Sequence, residues 1–129
     1  MPQVGVDIIE INRIRKAVSR WGGSFLSRIY TDSELELYAG KPSSLAARFS
    51  GKEAVIKAIG SRKVCYHDIE ILADANGKPQ VNLYGTACLV AKDAGIGNLS
   101  ISLSHCREYA VACAVGEIYP VGGVPPDSL

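Results

Sequence analysis

The chain has 129 residues, 47% of them hydrophobic and 21% charged, which fits one globular domain and excludes a disordered chain. A net charge of +1 provides no overall field for nucleic acid or an anionic membrane, so electrostatic recognition must come from a local patch. No apolar run is long enough to span a bilayer, and the start, Met1-Pro2-Gln3-Val4-Gly5-Val6-Asp7, has no basic leader and meets a carboxylate too early for a signal peptide. Four cysteines, Cys65, Cys88, Cys106 and Cys113, form no C-x-x-C pair, so free, buried thiols in a reducing cytoplasm are expected.

In chain order, Val4, Val6 and Ile8 alternate with Gly5, Asp7 and Ile9, an opening strand that places Asp7 on one face. Residues 11–21 predict a helix with Ile11, Ile14, Val18 and Trp21 as its apolar stripe, ended by Gly22-Gly23. Arg13, Arg15, Lys16 and Arg20 occupy its remaining surface. Thr31-Asp32-Ser33-Glu34 is a capping box that starts a short helix. Ser43-Ser44 offers the cap of the main helix, residues 45–59, which is apolar almost all round and stops at Gly60. Two strands around Ile69-Glu70-Ile71 and Val81-Asn82-Leu83 flank the turn Asp74-Ala75-Asn76-Gly77-Lys78-Pro79, a hairpin. A helix over 86–93 and strands over 99–104 and 109–115 complete a domain at residues 1–118, with a flexible tail at 119–129. Helices and antiparallel strands without regular βαβ alternation predict an α+β fold, an antiparallel sheet packed on a long central helix.

Several residues could carry chemistry. Asp7 is a carboxylate in an apolar strand, costly to bury unless paired with a cation or metal, although an edge position or a cap would also explain it. Phe49, Glu53 and Lys57 share one helix face, where Glu53 to Lys57 could be an ordinary i, i+4 ion pair. Arg48, Lys52, Glu53 and Lys57 are the charges on a helix that otherwise reads as buried, and such charges usually face a site or an interface. Two carboxylates beside several cations suit a hard divalent ion bridging phosphates, with Lys and Arg clamping phosphate oxygens. His105 ends a strand beside Ser104, where a lone histidine is more often a structural group or a turn residue than a site residue. The basic face of the first helix is either solvated or a match for an acidic protein.

These blocks resemble, in order and spacing, the holo-acyl-carrier-protein synthases, a 4′-phosphopantetheinyl transferase family. The matching blocks are Gly5-Val6-Asp7-Ile8 with Arg13-Ile14, Phe25-Leu26-Ser27-Arg28-Ile29-Tyr30-Thr31 with Glu34, and Leu45-Ala46-Ala47-Arg48-Phe49 with Lys52-Glu53-Ala54 and Lys57-Ala58-Ile59-Gly60. Asp68-Ile69-Glu70, Gly77-Lys78-Pro79, and Ser102-Leu103-Ser104-His105 with Tyr109-Ala110-Val111-Ala112 follow. The resemblance implies a homotrimer with active sites between subunits and transfer of 4′-phosphopantetheine from coenzyme A to a carrier-protein serine. It implies Mg²⁺ on Asp7 and Glu53, Lys57 against the leaving 3′,5′-ADP, and Arg48, Gly60, Lys78, Pro79 and His105 around the nucleotide. It further implies that Arg13, Arg20 and Arg28 face the acyl carrier protein, and it leaves open whether Glu53 or a metal-held water oriented by Asp7 is the base.

Three positions depart from the pattern: Gly51 in place of alanine, a short Ser61-Arg62-Lys63-Val64 run after Gly60, and Cys106 in place of threonine. Two rival readings are a non-catalytic module binding an acidic carrier-type protein and a metal-dependent phosphohydrolase. The paired carboxylates argue against the first, and the basic helix, left without a role, against the second.

Overall fold

The computed structural model describes residues 1–119. The tail expected at 119–129 lies, from residue 120 onward, outside the described residues. The elements run β1 (Pro2–Glu10), α1 (Ile11–Trp21), α2 (Gly23–Ile29), α3 (Asp32–Tyr38), α4 (Pro42–Ile59), a 3₁₀ turn (Tyr66–Asp68), β2 (Ile69–Ala73), β3 (Pro79–Leu83), α5 (Gly85–Asp93), β4 (Ile96–His105) and β5 (Tyr109–Ile118). The fold is α+β: β1, β5 and β4 form one antiparallel sheet in that order, and β2 pairs with β3 in a separate hairpin.

β1 carries three of its β-branched residues on the outside. Val4, Val6 and Ile8 are 61%, 57% and 64% exposed, while Gly5 and Ile9 are buried and Asp7 is half-buried on the face turned to α4. Gly5 allows that face to come close: a Cβ there would stand 1.9 Å from the Ala54 carbonyl oxygen, far inside van der Waals contact. At Gly51, the first of the three departures, a Cβ would meet Ile71 Cδ1 at 2.5 Å. Gly51 therefore makes room for the side chains of Ile71 on β2 and of Ile101 and Leu103 on β4.

α4 begins at Pro42, three residues before the expected start, and neither Ser43 nor Ser44 caps it; Lys41 precedes it without a side-chain cap. Proline is at ease at the first helical position because the N–H it lacks would have had no partner there. The helix ends as expected at Gly60, left-handed at φ 81°. α3 begins with the full capping box, Thr31 and Glu34 each bonding the other's backbone N–H. α2 was not expected. Gly22, at φ 56°, turns the chain from α1 straight into it, so the glycines separate two helices. Trp21, expected in the apolar stripe, is 57% exposed, because α1 stops there and the ring meets Arg20, whose guanidinium lies 4.8 Å from its centroid.

Two clusters make the core. One joins the C-terminal half of α4 to β2, α5, β4 and β5 through Val55, Ile59, Ile69, Ile71 and Ile101. The other joins α1, α2 and the start of α4 through Ile11, Ile14, Ile29 and Leu45. Tyr66 and Leu103 pack against both. The cysteines are free, but the expectation that they are buried is wrong: Cys65, Cys106 and Cys113 are exposed and Cys88 is intermediate. Cys65 and Cys106 lie in loops, and Cys113 falls on the outward face of β5, opposite Val6.

A buried polar network ties α3, α4 and β2 together. Lys52 and Glu34, both fully buried, form an ion pair of 2.7 Å. Lys52 Nζ also donates to the carbonyls of Tyr66, at 3.1 Å, and Ile69. Glu34 further accepts from the backbone N–H groups of Thr31 and Ile71, both at 2.9 Å. Lys52 thus faces a carboxylate in the interior, unlike the site or interface expected of every charge on this helix.

Candidate active site

β1 and α4 lie side by side, and that contact brings Asp7 and Glu53 to one cavity of ≈ 400 Å³, also lined by Arg13, Phe25, Phe49 and Tyr66. Asp7 is fixed from α4. Ser50 Oγ lies 2.8 Å from the Asp7 carbonyl oxygen and 3.0 Å from Oδ2, sharing its one O–H between them. Lys57 Nζ donates to Asp7 Oδ1 at 3.2 Å and to the Val6 carbonyl at 2.9 Å. The i, i+4 pair between Glu53 and Lys57 is therefore not what forms. Glu53 turns instead to Arg62 Nη1, 2.9 Å from Oε2, and to the Tyr66 hydroxyl, 2.6 Å from Oε1.

Each carboxylate thus carries one positive partner, Lys57 on Asp7 and Arg62 on Glu53. Burial, together with the hydrogen bond and charge of Glu53, pushes the Tyr66 phenol up to about 12, so it remains a donor at neutral pH. Two hard carboxylate groups on one cavity, with cations already beside them, fit the requirements of Mg²⁺, which takes one or two protein carboxylates and completes its shell with water and phosphate. Among the described residues no group of three or more His, Cys, Asp or Glu side chains could hold a metal, so a cage built wholly of protein ligands is not available.

Apart from Arg13, the other expected site residues do not line this cavity within one chain. Arg48 is buried at 9% exposure, its guanidinium 3.6 Å from the centroid of Tyr38 and its Nε donating to the Ile71 carbonyl at 3.3 Å. Gly60 ends α4, Lys78 is exposed in the β2–β3 turn, Pro79 opens β3, and His105 is exposed at the end of β4. Arg13 and Arg20 on α1 and Arg28 on α2 are all exposed, and of these Arg13 reaches the cavity. Ser50, Arg62 and Tyr66 were not singled out by sequence. Ser50 could have been, since it stands three residues before Glu53 on the same face of α4.

Comparison with known proteins follows the same lines. Residues 3–114 match the family model of the 4′-phosphopantetheinyl transferase superfamily. A holo-[acyl-carrier-protein] synthase of Dehalococcoides mccartyi is 52% identical, over 91% of this chain and 99% of that protein. Among solved structures, the Helicobacter pylori holo-[acyl-carrier-protein] synthase in complex with coenzyme A superposes with a TM-score of 0.80 at 33% identity, covering 88% of this chain and 99% of that one. The Neisseria meningitidis holo-[acyl-carrier-protein] synthase gives 0.80 at 36% identity, covering 89% and 97%. With its carboxylate cavity, its α+β fold and a match along nearly its whole described length, the chain belongs to the holo-acyl-carrier-protein synthases of the 4′-phosphopantetheinyl transferase superfamily.

Proposed function

We propose that this chain is the enzyme that moves 4′-phosphopantetheine from coenzyme A to a serine of apo-acyl carrier protein, giving holo-acyl carrier protein and adenosine 3′,5′-bisphosphate. The observation that carries the reading is the placement of Asp7 and Glu53 on one cavity whose rim includes Arg13 of the basic helix α1. An acidic partner docked on α1 would present its serine at that opening. Arg20 on α1 and Arg28 on α2, both exposed, would add positive charge to meet the partner.

Asp7 and Glu53 would hold Mg²⁺, which when bound draws charge from the pyrophosphate oxygens of coenzyme A. The serine oxygen forms a bond to the β-phosphorus as the bond to the bridging oxygen of 3′,5′-ADP breaks. Its proton passes to Glu53 or to a water that Asp7 orients. Lys57, already 3.2 Å from Asp7 and 43% exposed, is long enough to turn to the leaving group as negative charge gathers there.

Arg48, Gly60, Lys78, Pro79 and His105 are read as the surroundings of the adenosine and its 3′-phosphate. Their separation from the carboxylate cavity in one chain supports a site completed by a neighbouring subunit. The outward face of the three-stranded sheet supports such an assembly, because Val4, Val6 and Ile8 lie bare beside Val115, 37% exposed. A homotrimer, with α4 as the long helix on which each subunit's sheet packs, is the closed ring proposed. The setting is the cytoplasm and the product serves fatty acid biosynthesis; no helix among the described residues is long and apolar enough to cross a membrane.

The test is incubation of the purified chain with apo-acyl carrier protein, coenzyme A and Mg²⁺, read by intact mass. The carrier should gain the mass of one phosphopantetheine, and should gain nothing when Mg²⁺ is chelated beforehand. A carrier bound but unchanged in mass would replace the enzyme by a binding module, and free phosphate released without a carrier would replace it by a hydrolase.

A further inference from the structure

Glu53 is held at its two oxygens by side chains of opposite character. Tyr66 is built into the fold: its ring stacks on Phe49 with centroids 5.3 Å apart and planes at 30°, and Lys52 bonds its carbonyl at 3.1 Å. Its flanks pack against both core clusters, so the hydroxyl that meets Glu53 Oε1 at 2.6 Å comes from a fixed point. Arg62 is 68% exposed on the loop after Gly60, and its guanidinium makes no other side-chain hydrogen bond among the described residues. One restraint is rigid and neutral, and the other is charged and free to leave.

We propose that Tyr66 is the positioning residue of Glu53 and that Arg62 is a resident counter-ion which gives up Oε2 to an arriving divalent cation. The inference rests on the reading of Glu53 as a metal ligand. A carboxylate that must offer a lone pair in one direction loses affinity when it rotates freely, and outer partners of metal ligands typically account for about 10- to 100-fold in affinity or activity. Tyr66 removes that rotation without bringing a positive charge that would compete with the cation. Arg62 has the complementary part. Its exposed ion pair is weak and screened by salt, so it compensates Glu53 in the metal-free enzyme and is easily displaced.

The test uses Mn²⁺ as the probe, with saturating coenzyme A, and reads free Mn²⁺ by electron paramagnetic resonance for wild type, Tyr66→Phe, Arg62→Gln and Glu53→Gln. Tyr66→Phe keeps the ring and its stack, and should melt with wild type yet bind Mn²⁺ about 10-fold more weakly. Its kcat should fall at limiting metal while KM for the carrier stays unchanged. Arg62→Gln should bind Mn²⁺ about two- to fivefold more tightly, since a competitor is gone. Glu53→Gln should lose Mn²⁺, and adding Tyr66→Phe to it should change nothing further. Wild-type Mn²⁺ affinity in Glu53→Gln removes the metal reading and this inference with it. Loss of Mn²⁺ in Glu53→Gln with unchanged affinity in Tyr66→Phe overturns the positioning role alone. Weaker or unchanged binding in Arg62→Gln overturns the counter-ion role.

Discussion

Replacing Lys52 by methionine separates a charge that builds the fold from the charges that face the site. Methionine keeps most of the side-chain volume and removes the ammonium, so packing against Tyr30 and the core changes little. Three acceptors lose the ammonium as a donor: Glu34 Oε1, 2.7 Å away, and the carbonyls of Tyr66 and Ile69. Glu34 keeps two backbone N–H donors but no positive partner, at zero exposure. Breaking a buried ion pair on one side typically costs about 3–5 kcal/mol, because the remaining charge stays buried without compensation. The two carbonyls add to this, though not additively, so a loss of about 4 kcal/mol is expected. In a domain of this size that lowers the melting temperature by about 15 °C. Differential scanning calorimetry of Lys52→Met, Glu34→Leu and the double variant is the assay. The double variant should recover part of the loss, since neither charge is then orphaned. A Lys52→Met protein that melts within about 3 °C of wild type would refute the accounting, and so would a double variant less stable than both singles.

Asp7→Asn and Glu53→Gln should each lower the transfer rate by about 100-fold or more with melting curves unchanged, measured by carrier mass over time; near wild-type turnover at low Mg²⁺ removes that residue from the site. Arg13→Glu combined with Arg20→Glu should raise KM for the carrier and leave coenzyme A affinity unchanged, with added salt slowing wild type more than the variant; lost coenzyme A binding would assign the helix to the nucleotide. Burial pushes the Glu70 carboxyl up, but hydrogen bonds from Thr31, Asn82 and Tyr84 outweigh it and hold it below the ordinary value of 4.5. Its contribution to stability is therefore full above the unfolded value and lost as pH falls through the lower folded one, so Glu70→Gln should flatten the acid side of a melting-temperature profile below about pH 4.5. Light scattering should find a trimer, and a fully active monomer at assay concentration would end the shared-site reading.

Periodicity carried much of the fold, where each element is long enough to show it. β1, α1, the capping box of α3, the β2–β3 hairpin and the β4–β5 pair all follow from local pattern and turn chemistry. α2 escaped because seven residues directly after two glycines offer fewer than two turns of pattern. The start of α4 escaped because Pro42 was read as punctuation, when at the first helical position it is an opening. Trp21 was assigned inward from its place in the apolar stripe of α1 and Cys113 from residue type, and neither signal knows where an element ends or which face remains uncovered. In the site, Asp7 and Glu53 were legible because a carboxylate interrupts an apolar setting. Tyr66 and Arg62 were not, because neither sits on a periodic element, and only the turn after α4 delivers them to Glu53. Lys52 looked the same as Glu53 in sequence; the difference is a partner 18 residues away on α3.

The close approach of β1 to α4 at Gly5 has a consequence for any systematic substitution survey of this chain. No other residue fits beneath the Ala54 carbonyl, so position 5 should tolerate replacement as poorly as position 7. A growth-based readout alone would place the two side by side and suggest a shared chemical duty. Soluble yield separates them: replacements at Asp7 should accumulate as folded, idle protein, while those at Gly5 should be cleared before they can be assayed.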